Sequence, residues 1–272
     1  MSFSLQYGMD GLWYGSFSLL SDKGVIQGVS TRFGGVSQPP FGKLNLAMHN
    51  GDAVTAVVEN RRRFCRALGT DPAKLCTCDQ VHGTGVVRVT NTQAGAGSMD
   101  YASAIQETDA LITDVKNLPL LLFFADCTPI LFFDPEHKAI GLAHGGWKGT
   151  IGLIAQKTVL AMQREFGTRP EDCLVGIGPA IGPCCYEVDT AVSDRFAAAF
   201  SENQAEIIVA DGQGKPKLNL WAANRCQLEA IGVWREHIDV ASVCTQCNSN
   251  VFFSYRADRG HTGRIGAMIC LK

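Results

Sequence analysis

The chain has 272 residues, 46% hydrophobic and 18% charged, with a formal net charge of −2. That length and apolar content supply a large core and exclude a disordered chain or a coiled coil. The near-neutral charge excludes the broad basic footprint of a nucleic-acid binder.

The opening stretch MSFSLQYGMDGLWYGSFSLL is interrupted by Gln6, Asp10 and several glycines. It lacks the basic n-region and apolar h-region of a signal peptide, so a cytoplasmic protein is expected. Eleven cysteines at irregular spacing fit free thiols in a reducing compartment. The longest apolar run, Leu118 to Ala125, is too short to span a bilayer. No linker or compositional break divides the sequence, which reads as one domain over residues 1–272.

GVIQGVSTR is the first strand signal. Asp52, followed by apolar residues at 54, 57, 58, 64, 65 and 68 and then Gly69, predicts a capped amphipathic helix with Arg61, Arg62 and Arg63 mostly facing water. GVVRV, DALIT, LPLLLFFAD, PILFFD and AIGLAH then read as strands, with TQAGAGSMD between the first two as a flexible loop. A second helix is predicted from about Thr150 to Phe166, with Gly167 as its C′ residue. Beyond it come the strand CLVGIG, helices near Asp189–Phe200 and Asn219–Ala230, and the strands IDVASV and FFSYR. Several strands are apolar on both faces, which implies sheets covered on both sides.

FFADCTPILFF buries an acid and a thiol in a run of large apolar side chains. DPEHK is a turn signal between PILFFD and AIGLAH, so these two strands should form an antiparallel hairpin. If residues 134 and 139 face each other, 129 faces 144 and Cys127 lies near His144. Cross-strand neighbours and diagonals are roughly 5 to 8 Å apart between Cβ atoms, close enough to share a metal ion. A thiolate and an imidazole suit zinc, and a third ligand would leave one position open for catalysis. His82, in QVHGTG between glycines, is a candidate that spacing alone does not bring to the hairpin.

STRFGGVS, LNL, NRRRF, QVHG, DALITD, ADCTPILFFDP, AHGGWKGT, IGPAIGPCCYEV and FSYRADRGHTGR occur in the order and wording of the laccase-domain family, once regarded as multicopper polyphenol oxidases. The resemblance runs from about Ser30 to Cys270. It implies an α/β (α+β) fold of α/β/β/α layers with mixed sheets, related to the deamidase domain of cytotoxic necrotizing factor toxins. It further implies that His82, Cys127 and His144 bind one metal ion, Zn2+ with Cu2+ as the alternative. The activity implied is that of zinc-dependent purine nucleoside phosphorylases, which split adenosine, inosine, guanosine or methylthioadenosine, with some adenosine deaminase activity. Some relatives resemble zinc hydrolases that edit wrongly loaded peptidoglycan precursors; a cysteine hydrolase with Cys127 activated by His82 or His144 is a variant of that reading. A copper cluster built from His-x-His pairs is disfavoured, because no two of the six histidines lie two residues apart. The partners expected are a nucleoside and phosphate, without nucleic acid or membrane, around a monomer or weak homodimer.

Asp126 is expected where the chain leaves the core for a cleft, as an acid/base group or water-orienting group beside Cys127; the competing reading is an N–H acceptor holding the hairpin. HGGWKGT reads either as an anion site with Lys148 or as a glycine-rich turn with a solvated lysine. Lys148 also departs from the His-Ala-Gly-Trp-Arg-Gly pattern of the family, replacing a guanidinium with a point charge. Arg32 and Arg256 each end a strand signal, and are placed near the metal to grip phosphate or ribose, against a surface-charge reading. Asn45 and Lys43 offer polar contacts or a turn. Tyr186 and Glu187 follow Gly-Pro turns and could meet base or sugar, or in Glu187's case cap a helix. Cys244-x-x-Cys247 has zinc-ligand spacing, but Cys76-x-Cys78 does not complete it and nothing in the sequence makes the pairs meet. These read as ordinary thiols, and Cys184-Cys185 as part of a turn.

Overall fold

In the computed structural model, residues 3–209 and 214–272 are described. In chain order they form β1 (Phe3–Tyr7), β2 (Trp13–Phe17), β3 (Val25–Ser30), α1 (Val54–Leu68), β4 (Val86–Arg88), β5 (Ala110–Thr113), β6 (Leu120–Phe124), β7 (Thr128–Asp134) and β8 (Ala139–Gly145). There follow α2 (Trp147–Ile151), α3 (Ile154–Phe166), β9 (Leu174–Ile177), α4 (Thr190–Ala199), α5 (Gln204–Ile207), β10 (Ile208–Val209), β11 (Lys217–Leu218), α6 (Leu220–Ala230), β12 (Ile238–Val240) and β13 (Ile265–Leu271).

A five-stranded sheet of order β1-β2-β3-β13-β6 is antiparallel throughout. A six-stranded sheet of order β12-β9-β7-β8-β5-β4 is mixed, with parallel pairs at its two edges. Phe17, Val29, Leu122 and Phe124 of the first sheet meet Leu111, Leu131, Phe133 and Leu142 of the second in the central core. Leu121, Phe123 and Met268, on the other face of the first sheet, take Phe64 and Cys65 of α1. Ile112, Ile130, Phe132 and Val175, on the outer face of the second, take Ile154, Val159 and Met162 of α3 with Leu228 of α6. The result is the expected α/β/β/α layering of an α+β protein. β6 and β7 are covered on both faces and every one of their residues is buried, which is why LLLFF and PILFFD show no polar alternation.

The hairpin has the predicted register, Asp134 opposite Ala139 and Pro129 opposite His144. Other details differ from the sequence expectation. Asp52 does not cap α1: its carboxylate accepts from Ser37 Oγ at 2.6 Å and Asn45 Nδ2 at 2.9 Å, and the cap position is Ala53. Arg61 is buried, not solvated. Its Nε donates to Leu46 O at 2.8 Å, its Nη1 to Ser98 O at 2.9 Å, and its guanidinium lies 4.8 Å from the centre of the Phe123 ring. TQAGAGSMD is a set of turns begun by a Thr90–Gln93 capping box, with Ser98 buried beneath Arg61.

The helix predicted from Thr150 is broken in two. Leu153 has a left-handed φ of 64° between α2 and α3. Gln227 of α6 patches the break, donating to Thr150 O at 2.9 Å and accepting from Ala155 N at 3.2 Å. FFSYR is not a strand: Phe252 and Phe253 are buried in the central core, and Tyr255 and Arg256 turn out to line the cleft described below. β1, β2, β10, β11, β13 and α5 have no counterpart among the elements expected from the sequence.

Candidate metal centre and its cleft

β6 belongs to one sheet and β7 to the other, so residues 125–127 carry the chain across the sandwich. Asp126 makes this crossing with a left-handed φ of 79°. Cys127 therefore stands at the end of the sandwich where β8 delivers His144. The loop before β4 brings His82, itself at φ 59°, to the same place. The ligand atoms of His82, Cys127 and His144 all lie within 4.8 Å of one another.

Asp109, buried immediately before β5, organises the group. Its carboxylate accepts the backbone N–H groups of Val81 at 3.3 Å, His82 at 3.0 Å and Gly83 at 2.6 Å. It also bonds His144 Nδ1 at 2.8 Å, which orients the ring with Nε2 towards Cys127. Gly146 closes the cage from the backbone side: a Cβ there would stand 2.9 Å from His82 Cδ2 and 3.3 Å from Cys127 Sγ. Two imidazoles and a thiolate are ligands for zinc, whose bond lengths put a sulfur and an imidazole nitrogen on one tetrahedral ion about 3.5 Å apart. Cys127 Sγ and His82 Nε2 are 3.9 Å apart, so the residues fit such an ion with small side-chain adjustments.

Burial pushes the Cys127 thiol up, but the adjacent His144, and then His82, outweigh it and bring the thiol down to about 6. In His144 burial acts downward, and the Cys127 thiolate with Asp109 overrides it, lifting the imidazole to about 9. A thiolate is thus already favoured before a metal arrives.

The centre opens into a cleft with two lobes. The larger, about 510 Å³, is lined by His49, Gln80, Phe123, Lys148 and Arg264 in addition to the ligands. The smaller, about 300 Å³, is lined by Asp126, Ile181, Tyr186, Leu220 and Arg256. Trp147 and Tyr255 border both.

Of the residues singled out in the sequence, Lys148 reaches the larger lobe, and Asp126, Tyr186 and Arg256 the smaller. Both oxygens of Asp126 are engaged, by Thr245 Oγ1 at 2.6 Å and the Arg256 N–H at 2.7 Å. The carboxylate thus braces the loops that wall the cleft, in the manner of the N–H acceptor reading. Arg256 lies 5.5 Å above the Tyr186 ring and donates to Glu187 O at 3.2 Å. Glu187 lines neither lobe but an adjoining depression with Asp189 and Lys215, on the other side of Tyr186 and Arg256.

Arg32 and Asn45 line neither lobe. Arg32 is committed to Gly42 O and Ser249 O and lies over Phe253, tying two turns together. Asn45 is fully buried, with its Oδ1 accepting Arg264 N at 2.9 Å. The guanidinium expected from Arg32 comes instead from Arg264. Sequence reasoning missed Arg264, Asp109, His49, Gln80, Trp147 and Tyr255. Asp109 carried a usable signal, an acid abutting a wholly apolar strand, the same pattern that drew attention to Asp126. His49 is held down to about 4, by burial and then by Arg264, and is neutral at pH 7.

Fold and site together define a class: four-layer α+β proteins with a three-ligand candidate metal centre at the crossing between two sheets. Residues 26–272 match the family described as multi-copper polyphenol oxidoreductase laccase, and the chain belongs to that family. Among its relatives, purine nucleoside phosphorylase YlmD of Geobacillus stearothermophilus is 43% identical over 246 residues, covering 90% of each chain. Purine nucleoside phosphorylase YfiH of Escherichia coli is 35% identical over 249 residues, 92% of this chain and 95% of that one. The crystal structure of Geobacillus stearothermophilus YlmD superposes with a TM-score of 0.93 at 40% identity, covering 98% of each chain. That of a Bacillus licheniformis protein, YfiH, gives 0.92 at 36% identity over 98% of this chain and 99% of that one.

Proposed function

We propose that the protein is a zinc-dependent purine nucleoside phosphorylase acting on adenosine, inosine, guanosine or methylthioadenosine. The observation that carries this reading is a three-ligand centre set between a cationic lobe and an aromatic one. Relatives named purine nucleoside phosphorylase over nine-tenths of the chain support it.

In phosphorolysis a phosphate oxygen forms a bond to the anomeric carbon while the bond to the purine nitrogen breaks and its electron pair leaves with the base. The barrier lies in the oxocarbenium character of the sugar, so the site must aim the phosphate and accommodate the departing base. Lys148 and Arg264 place positive charge in the larger lobe to hold a phosphate dianion in a protein of near-neutral charge. Neutral His49 beside them offers a hydrogen bond without adding charge. Tyr186, Ile181 and Leu220 give the smaller lobe flat apolar walls for a purine, with Arg256 at its rim. Asp126, its two oxygens taken by Thr245 and Arg256, keeps that wall in place. Held by His82, Cys127 and His144, zinc would supply Lewis acidity towards the nucleoside between the lobes. Cys127 then acts as a ligand, not a nucleophile. Adenosine deamination, which the family resemblance adds, would use the same cleft.

Copper polyphenol oxidation, named in the family's description, fits less well. Among the described residues only two histidines enter a metal-ligand group, and they share it with one thiol.

The test incubates zinc-loaded protein with inosine, with and without phosphate. Phosphate-dependent release of hypoxanthine is expected, falling to background in Cys127→Ala together with the zinc held at that centre. Intact inosine, alongside hydrolysis of an amide in a cell-wall precursor, would replace this reading with the amidase one.

A further inference from the structure

Four cysteines that the reaction does not use meet on the far side of the smaller lobe. Cys184 and Cys185 come from the turn after β9, and Cys244 and Cys247 from the turn after β12. Their sulfurs all lie within 4.8 Å of one another, with Cys184 Sγ 3.5 Å and Cys185 Sγ 3.4 Å from Cys247 Sγ. Four sulfurs around one tetrahedral ion with metal–sulfur bonds of about 2.3 Å stand about 3.8 Å apart. The observed spacing is that of a four-thiolate cage; a disulfide would join two of the sulfurs and leave two over. We propose that Cys184, Cys185, Cys244 and Cys247 form a second metal site, which takes a single zinc-class divalent cation and clasps the two loops behind the Tyr186 wall of the cleft.

The backbone builds this site before any ion enters. Ala180 bridges Cys244, with Ala180 N donating to Val243 O at 3.2 Å and Thr245 N to Ala180 O at 3.0 Å, so the two turns are held in register. Gly182 N–H points at Cys244 Sγ at 3.2 Å, and the Cys247 N–H is directed at the same sulfur. N–H donors onto sulfur favour its thiolate form, the form a metal ion takes. Cys184 and Cys247 are exposed, Cys185 is half-buried and Cys244 is buried, so an ion has an open route in. Cys65, Cys76, Cys78, Cys173 and Cys270 are sunk in the apolar layers instead. Cys244-x-x-Cys247 is therefore completed by the vicinal pair and not by Cys76 and Cys78.

The same segments reach the first centre. Ile181 N donates to Asp126 O at 2.9 Å, and Thr245, next to Cys244, holds Asp126 Oδ1. Clasping the turns thus fixes the Ile181 and Tyr186 side of the cleft.

Metal content and cobalt absorption of the full chain, purified under reducing conditions, test the proposal. Wild type should bind two equivalents of Zn2+. His82→Ala should keep one, and that remaining site, loaded with Co2+, should show the intense sulfur-to-metal charge transfer of a four-thiolate ion. Cys184→Ser/Cys247→Ser should keep one equivalent and lose that band. As a check independent of any variant's folding, Zn2+ added to wild type should slow iodoacetamide alkylation of Cys184 and Cys247 at least tenfold. A wild type that binds one equivalent and loses it in His82→Ala overturns the proposal. So does equal alkylation with and without zinc.

Discussion

Asp109 is the residue on which the metal centre turns. One carboxylate accepts three consecutive backbone N–H groups around His82 and also sets the tautomer of His144, so two of three ligands depend on it. Burial pushes this carboxyl up, and the His144 and backbone donors outweigh it, holding it below the ordinary range. Asp109→Asn keeps the shape but turns an amide N–H2 towards one of those donors. Outer partners of metal-bound histidines contribute about 10- to 100-fold in affinity. Competition with a chelator should therefore show zinc binding at His82/Cys127/His144 weakened by about that factor, with the far-ultraviolet circular dichroism unchanged. Unaltered affinity would show that the loop holds His82 without this carboxylate. Arg61 teaches a related point: a helical wheel marked it as solvated, yet three-dimensional context supplied carbonyl acceptors and an aromatic face that no local pattern displays.

Among the elements, the β7–β8 hairpin was the most legible, because a short turn fixes register and register fixes neighbours. Its closing residue, Asp134, is buried and accepts Glu136 N at 2.9 Å, His137 N at 3.1 Å and His137 Nδ1 at 2.8 Å. Burial raises its pKa, and the Thr168 hydroxyl, followed by these donors, outweighs it, so the folded value is depressed. A depressed carboxyl contributes stability that is present above the unfolded value of about 3.9 and is lost as pH falls through the folded one. Asp134→Asn should remove part of the acid sensitivity in that window and cost about 1.5–3 kcal/mol at pH 7, measured by urea unfolding. The broken helix was less legible, since nothing local in residues 150–166 announces Leu153 as its hinge. The patch comes from Gln227, more than seventy residues on. Gln227→Leu leaves Thr150 O and Ala155 N buried without that partner, and should destabilise by about 1–3 kcal/mol in the same assay. A smaller loss would mean that water replaces the amide.

For the whole molecule, layering could be read from strands that are apolar on both faces, and Cys127 with His144 from one hairpin. His82 came only from family resemblance, because 45 residues separate it from Cys127 and the meeting depends on how two sheets stack. Arg264, His49 and the pairing of the four outer cysteines were hidden for the same reason: they converge from segments far apart in the chain. FFSYR carried strand-forming residues that the tertiary structure spends on a turn. Since His82 and the hairpin that carries Cys127 and His144 meet only through the fold, an ion held there would bind the folded state alone. At about 100 times its Kd such an ion adds about 2.7 kcal/mol. Zinc should stabilise wild type by about that much more than His82→Ala in thermal unfolding. Equal gains would show that the three side chains do not share a cation.

The left-handed step at Asp126 carries one further consequence. Cys127 stands one residue ahead of β7, so the thiol hangs from the same sheet as both imidazoles, while Arg264 adjoins β13 of the other. A slip of the sandwich would leave sulfur beside nitrogen and carry the guanidinium away from them long before any strand unravelled. Loosened forms of this protein should accordingly keep the cation in place and part it from the far wall of its cleft.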